Sequence, residues 1–210
     1  MRTVACLLAC LALTSVARAQ DPRLARRLDS ATQAQVAAVL DSARSAGLPL
    51  EPLVDRALEG ASKGAPGPRI AAAVRKLAAD LTAARQALGG GAAAELEAGA
   101  SALRAGVTPD ALAHLRESRP QQSLTVALAV LADLVARGVP ADTASVFVLA
   151  IAAATDEQLV AFQRNVERDI ALGAPPLAAA AVRVNATSRQ GLTDAAPQGG
   201  SPPPRTPRRP

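Results

Sequence analysis

Pro68 to Gly91 reads PRIAAAVRKLAADLTAARQALGGG, and this stretch decides the fold. Ile70, Val74, Leu77, Leu81 and Leu88 recur at i, i+4, i+7, i+11 and i+18. On a helix of 3.6 residues per turn, that spacing gathers the five side chains into one apolar stripe, the signature of a helix laid on a core. Pro68 is pre-set for the start of a helix, and Gly89, Gly90 and Gly91 end it.

The same period extends in both directions. Ser30 is placed to cap a helix reaching about Ala46, with Val36, Val39, Leu40 and Ala43 on one face, and Gly47, Leu48 and Pro49 stop it. A second helix is predicted over Glu51 to Lys63, carrying Leu53, Val54, Ala57 and Leu58, and a weaker alanine-rich one over Ala92 to Ala105. Thr108, Pro109 and Asp110 combine a capping hydroxyl, a proline at the first helical position and an acid in the first turn, so a short helix follows to about Ser118. Gln121 to Arg137 and Ala141 to Ala154 are both strongly apolar. Thr155, Asp156 and Glu157 open a helix to about Leu172 whose inner edge is Leu159, Phe162, Val166 and Ile170, and a last one runs from Pro176 to about Thr187. No segment shows sustained strand alternation bounded by turn signals. The predicted fold is all-α, an array of antiparallel helices arranged as stacked αα-hairpins.

A repeated punctuation supports that architecture. Arg44 to Glu51 (RSAGLPLE), Leu103 to Asp110 (LRAGVTPD) and Ala136 to Asp142 (ARGVPAD) share one order: helix end, glycine, aliphatic residue, Pro or Thr, and an acid four positions after the glycine. Gly173, Ala174 and Pro175 form a degenerate fourth copy. Glycine supplies the left-handed cap, the aliphatic residue packs back on the helix it leaves, and the proline and acid suit the positive end of the next helix. Glycine spacings of 59, 32 and 35 residues make the last copies two-helix units.

The two apolar segments at 121–137 and 141–154 invite a membrane hairpin, but their uncharged runs fall short of the ~20 residues of a span. Asp133, Arg137 and Asp142 interrupt them. Apolar all round, they are expected at the buried centre of the array.

The ends differ from the body. Met1 and Arg2 precede an uncharged run, Thr3 to Val16, and Ala17-Arg18-Ala19 offers the small residues of a cleavage site, so residues 1–19 read as a cleavable secretory signal. Leu7-Leu8-Ala9-Cys10 offers a competing reading, a lipoprotein anchored through Cys10, against which the apolar run continues to Val16. Both cysteines, Cys6 and Cys10, lie in this segment, so an exported chain beginning at Gln20 has no thiol and no disulfide. Its destination is the periplasm or the exterior. At the other end, residues 189–210 run into GGSPPPRTPRRP, which has almost nothing to bury and is expected to be a disordered tail of polyproline character. The intervening 20–188 make one helical domain.

Charge narrows the partners. The full chain carries 23 basic and 18 acidic residues, a net +5. Two of those positive charges leave with the signal and three belong to the tail, so residues 20–188 are neutral. A folded nucleic-acid-binding domain shows a basic stripe, and this body has no such excess. Aromatic residues are limited to Phe147 and Phe162, which argues against sugar-stacking and base-stacking surfaces. The tail's arginines suit an anionic envelope polymer or lipid, through attraction that salt weakens.

Glu59 to Ile70 (EGASKGAPGPRI) is the most distinctive segment, and Glu59, Lys63 and Arg69 are the candidate ligand-binding residues. A phosphate loop needs Gly-Lys-Ser/Thr opening a helix after a strand, whereas Lys63 precedes Gly64 at a helix end. Glu59 and Lys63 otherwise read as an i, i+4 pair, Gly64 as a cap and Pro68 as a helix start. Together with Gly47 to Leu53 (GLPLEPL), the segment resembles a pattern in uncharacterised exported alanine-rich helical proteins of high-GC bacteria, over residues 44–88. That resemblance implies an envelope context and no activity.

No cofactor or metal motif is present. His114 is the sole histidine, beside Glu117, and reads as a surface residue. Asn185-Ala186-Thr187 matches a glycosylation sequon that is taken as chance. The expectation is a non-catalytic interaction or scaffolding module of the envelope, its partner an envelope protein or anionic polymer. The alternative is a hydrolase using carboxylates or His114.

Overall fold

A computed structural model describes residues 21–194, with side chains as far as Arg189. Residues 1–20, where the signal is expected, and residues 195–210, where most of the tail is expected, lie outside the described residues. Ten helices and no strand occur among those described. They are α1 (Pro22–Ala25), α2 (Ser30–Ser45), α3 (Glu51–Ser62), α4 (Gly67–Leu88), α5 (Ala93–Arg104), α6 (Pro109–Ser118), α7 (Thr125–Ala136), α8 (Ala141–Ala150), α9 (Asp156–Ala171) and α10 (Pro176–Asp194).

The stripe of α4 points inward as its spacing requires: Ile70, Val74, Leu77, Leu81 and Leu88 are all buried. Four helices pack around it, α2, α3, α5 and α6. The contacts follow a rule. Each helix packs on its neighbour in sequence or on the helix two positions along: α2 on α4, α4 on α6, α6 on α8 and α8 on α10 in one layer, α5 on α7 and α7 on α9 in the other. The array therefore grows in one direction, as stacked hairpins do.

The punctuation that ends the helices has the expected geometry. Gly47, Gly106, Gly138 and Gly173 all adopt positive φ, between +66° and +102°. The residue after each donates its N–H back to the carbonyl five positions earlier, as in Leu48 to Ala43, Val107 to Ala102 and Val139 to Leu134, at 2.9, 3.1 and 3.0 Å. This is the Schellman closure, and the aliphatic residues Leu48, Val107 and Val139 are buried behind it. The segment at 59–70 uses the same device, because Gly64 has φ +65° and Ala65 donates to the Gly60 carbonyl.

Several elements depart from the expectation. The cap of α2 is Asp29, not Ser30: its carboxylate accepts from Thr32 N at 2.9 Å and from the Thr32 hydroxyl at 2.6 Å, two bonds that one serine hydroxyl cannot match. A short α1 precedes it. Helix α7 starts at Thr125 rather than Gln121, since the Leu124 N–H turns aside to Glu95, and α8 stops at Ala150 because residues 151–154 turn to present carbonyls to Arg119. Helix α10 continues past Thr187 to Asp194, with no proline to stop it before Pro197. Of the two apolar helices, α7 is the buried centre, whereas α8 leaves Val146 exposed. No helix among the described residues is long and apolar enough to cross a membrane.

Candidate functional site

The three candidates of the 59–70 segment do not converge. Lys63 Nζ pairs with Glu59 Oε1 at 2.5 Å, and Arg56 Nη1 binds Glu59 Oε2 at 2.8 Å. Glu59 is thus committed to its own helix, its carboxyl held below the usual range by hydrogen bonds first from Lys63 and then from Arg56. Lys63 is the C-cap of α3, and Arg69 is an exposed residue in the first turn of α4. What makes the segment distinctive is packing. A Cβ on Gly60 would lie 2.9 Å from Ile70 Cγ1, and one on Gly67 would overlap Thr32 Oγ1, so both glycines allow the hairpin α3–α4 to close and seat on α2.

His114 is exposed on α6, where its backbone carbonyl accepts from the Ser118 hydroxyl. Among the described residues there is no group of three or more His, Cys, Asp or Glu side chains placed to hold a metal ion.

Two polar residues that sequence reasoning passed over form the best-organised cluster. Arg119, at the end of α6, is only 2 % exposed. Its Nη1 donates to the carbonyls of Ala152 and Ala154 at 2.8 and 2.7 Å, and its Nη2 to Asp156 Oδ1 at 3.0 Å. Glu95, near the start of α5, is buried, accepting from Arg116 Nη2 at 2.8 Å and from the Leu124 N–H at 2.7 Å. Arg116 Nη1 in turn donates to the carbonyls of Arg119 and Gln122. These bonds tie α5, α6 and the starts of α7 and α9 into one knot. Nearby, Glu157 covers its own backbone N–H and accepts from the Thr155 hydroxyl, which hold its carboxyl below the usual range. The start of α9 is thereby satisfied from within the chain, and the cluster is a brace in which the buried Arg119 Nε is left without a hydrogen-bond partner.

An apolar-floored recess lies elsewhere, between α1, α2 and α3, with a volume of about 340 Å³. Leu24, Ala37, Leu40, Leu50 and Val54 form its floor, and Gln33, Asp21, Asp41, Arg44 and Glu51 its rim. The rim charges are paired off: Arg23 binds Asp21 at 2.7 Å and Glu51 at 2.8 Å, and Arg44 binds Asp41 at 2.8 Å. Hydrogen bonds from Arg23 hold the carboxyls of Asp21 and Glu51 below the usual range. Both are therefore ionised at neutral pH and carry no proton to donate, while the floor is suited to burying an apolar group.

No family model, curated protein or solved structure matches the chain. The recess and the stacked array stand as the basis for a functional reading.

Proposed function

We propose that the chain is an exported, non-catalytic helical module that binds or scaffolds a component of the bacterial envelope, with its cationic tail adding loose electrostatic attachment. The observation that carries this reading is the recess of α1, α2 and α3: an apolar floor under a rim of ion pairs that neutralise one another. Such a site rewards burial of an apolar side chain or ligand group and offers no acid–base pair for a reaction. The one-directional array gives a continuous helical surface beside it, as interaction modules built from stacked hairpins use. The secretory features of residues 1–19, and the resemblance over residues 44–88, support an envelope destination.

The test is capture from envelope extract by the chain from Gln20 onward, with and without residues 189–210, beside an Ala37→Phe variant that fills the recess. A partner retained by the parent chain and lost by Ala37→Phe supports the reading. Equal capture by both moves the contact away from the recess, and turnover of an ester, peptide or glycan by the purified chain would replace the reading with the hydrolase.

A further inference from the structure

The recess exists because one place in the array is filled by a single helical turn. Helices α2 and α3 each pack on α4 but hardly on one another, and the four-residue α1 lies against both. Leu24 is the one buried residue of α1, so the space beside it stays open over Leu40 and Val54. Gln33, Ala37, Leu40 and Arg44 line that space at i, i+4, i+7 and i+11, which stretches it along about 16 Å of α2. Gln33 stands at one end, its amide donating to the Leu24 and Leu28 carbonyls at 3.4 and 3.3 Å. At about 340 Å³ the recess is at the small end of ligand sites, and its elongated apolar floor suits an unbranched chain.

The charges around this space are unequal in sign. Asp21, Asp41 and Glu51 line it with one base, Arg44. Arg44 answers Asp41 singly, at 2.8 Å. Arg23 answers two carboxylates at once: Nε and Nη2 donate to Asp21, and Nη1 and Nη2 to Glu51, over 2.7 to 3.1 Å. Asp55 Oδ1, 4.0 Å from Arg23 Nη1, brings a third carboxylate to the same guanidinium. Every rim acid is thus paired, yet the lip shared by α1 and α3 keeps a surplus of negative charge. Arg26 and Arg27 do not line the recess; they belong to a separate hollow beside Leu58 and Glu59. Glu51 is 65 % exposed, so a cation can reach it from solvent without displacing Arg23. The complement of an apolar trough with an acidic lip is an apolar chain that ends in a positive charge.

We infer that the recess binds a small aliphatic amine, its unbranched chain lying along α2 over Leu40 and Val54 and its ammonium at the lip of Asp21 and Glu51. This rests on the proposed role of the recess as the binding site and names the chemistry of its ligand. An alkylammonium keeps its proton at neutral pH, as a lysine side chain does. A fatty acid of the same length is the competing occupant, and it would bring a carboxylate up against those already on the rim.

The test is an NMR titration of the chain from Gln20 onward with n-hexylammonium, n-hexanol and n-hexanoate, reading the methyl signals of Leu24, Leu40 and Val54. Hexylammonium is expected to bind about 3-fold more tightly than hexanol, and hexanoate more weakly than either, as partly exposed ion pairs dictate. Shortening the ammonium to butyl should weaken it about 4-fold for each methylene removed. Salt at about 0.5 M should bring hexylammonium and hexanol together and leave the dependence on chain length in place. Glu51→Gln should cost the ammonium its advantage while hexanol binds as before, and Arg44→Gln, which adds to the surplus, should raise that advantage about 2-fold. Ala37→Phe should abolish binding of all three, and a thermal melt checks that each variant folds. Hexanoate binding as tightly as hexylammonium, an ammonium preference that survives Glu51→Gln, or methyl signals that do not move would overturn the inference. If head groups make no difference while extract capture still depends on the recess, the amine falls and the envelope reading stands. Amine binding with these preferences, beside capture that ignores Ala37→Phe, would keep the amine site and remove the envelope partner from the recess.

Discussion

Arg119 Nη1 donates to the Ala154 carbonyl at 2.7 Å across 35 positions of sequence, from a side chain almost wholly removed from water. One guanidinium thus holds the turn between α8 and α9, where the Ala152 and Ala154 carbonyls have left the helix and need donors. Truncating it orphans both acceptors and unpairs Asp156. Arg119→Met, which keeps the length and loses the donors, is expected to cost about 3 kcal/mol of stability. Arg119→Lys keeps the charge without the fork and should cost less than Met. Urea denaturation with an unchanged m-value reads both, and a Met variant as stable as the parent would show that the turn holds itself.

The second strut of this brace is Glu95. Its carboxylate serves the Leu124 N–H and Arg116 at once, so it fixes where α7 begins as well as how α5 lies against it. Glu95→Gln retains an acceptor for the amide and should cost about 1 kcal/mol, whereas Glu95→Ala leaves a buried N–H and a cation unpaired and should cost about 2–4 kcal/mol. Amide exchange at Leu124 separates the two: slow in the parent and Gln chains, fast in the Ala chain.

These two residues also mark where sequence reasoning stops. The stripe of α4, the glycine closures and the Thr108 cap are local patterns, and local patterns fix φ, ψ and burial within a turn or two. The same reading, applied to Asp29 and Ser30, picked the wrong neighbour, because both types cap well and the choice depends on the Thr32 hydroxyl as a second donor. Arg119 and Glu95 carry no local signature at all. Their partners are 21 to 37 positions away, and before the fold exists they look like any exposed charge on an amphipathic helix. The recess was equally illegible, since α1, α2 and α3 contribute to it from separate stretches. Glu59, Lys63 and Arg69 stand in the opposite relation: their conspicuous sequence is accounted for locally, by an ion pair within α3 and the turn that leads into α4.

Acid sensitivity follows from the carboxylates held by arginine. Asp169 lies below its ordinary pKa chiefly through hydrogen bonds from Arg183. Its folded value is depressed, so the pair stabilises fully above the unfolded value of about 3.9 and is lost as pH falls through the folded value. Asp169→Asn should accordingly be less stable than the parent at pH 7, with the gap closing below about pH 4. Urea midpoints at pH 7, 5, 4 and 3 test this. A gap that stays constant across that series would assign the effect to packing rather than to the ion pair.

Lys63 and Arg69 are expected to be nearly silent. Lys63 is 70 % exposed and pairs within its own helix, and Arg69 is exposed, so Lys63→Ala with Arg69→Ala should cost at most about 1 kcal/mol. Capture from envelope extract should be unchanged. A folded double variant that loses its partner would return the 59–70 segment to the list of binding sites.

Gly67 is the position in that segment where a small change should matter. Helix α4 begins against the cap of α2, and a Cβ at Gly67 would overlap the Thr32 hydroxyl that donates to Asp29. Alanine normally favours a helix over glycine, so propensity alone predicts that Gly67→Ala stabilises. Sterics predict the reverse, a loss of about 1–3 kcal/mol as α4 is pushed from α2. The sign of the measured change decides between them, and a double-mutant cycle locates the cause. In a Thr32→Ala background the hydroxyl is gone, and Gly67→Ala should become less costly by most of that loss. Additive losses would place the strain elsewhere in the hairpin. Strong coupling would show that the glycine is there to let two helix starts touch.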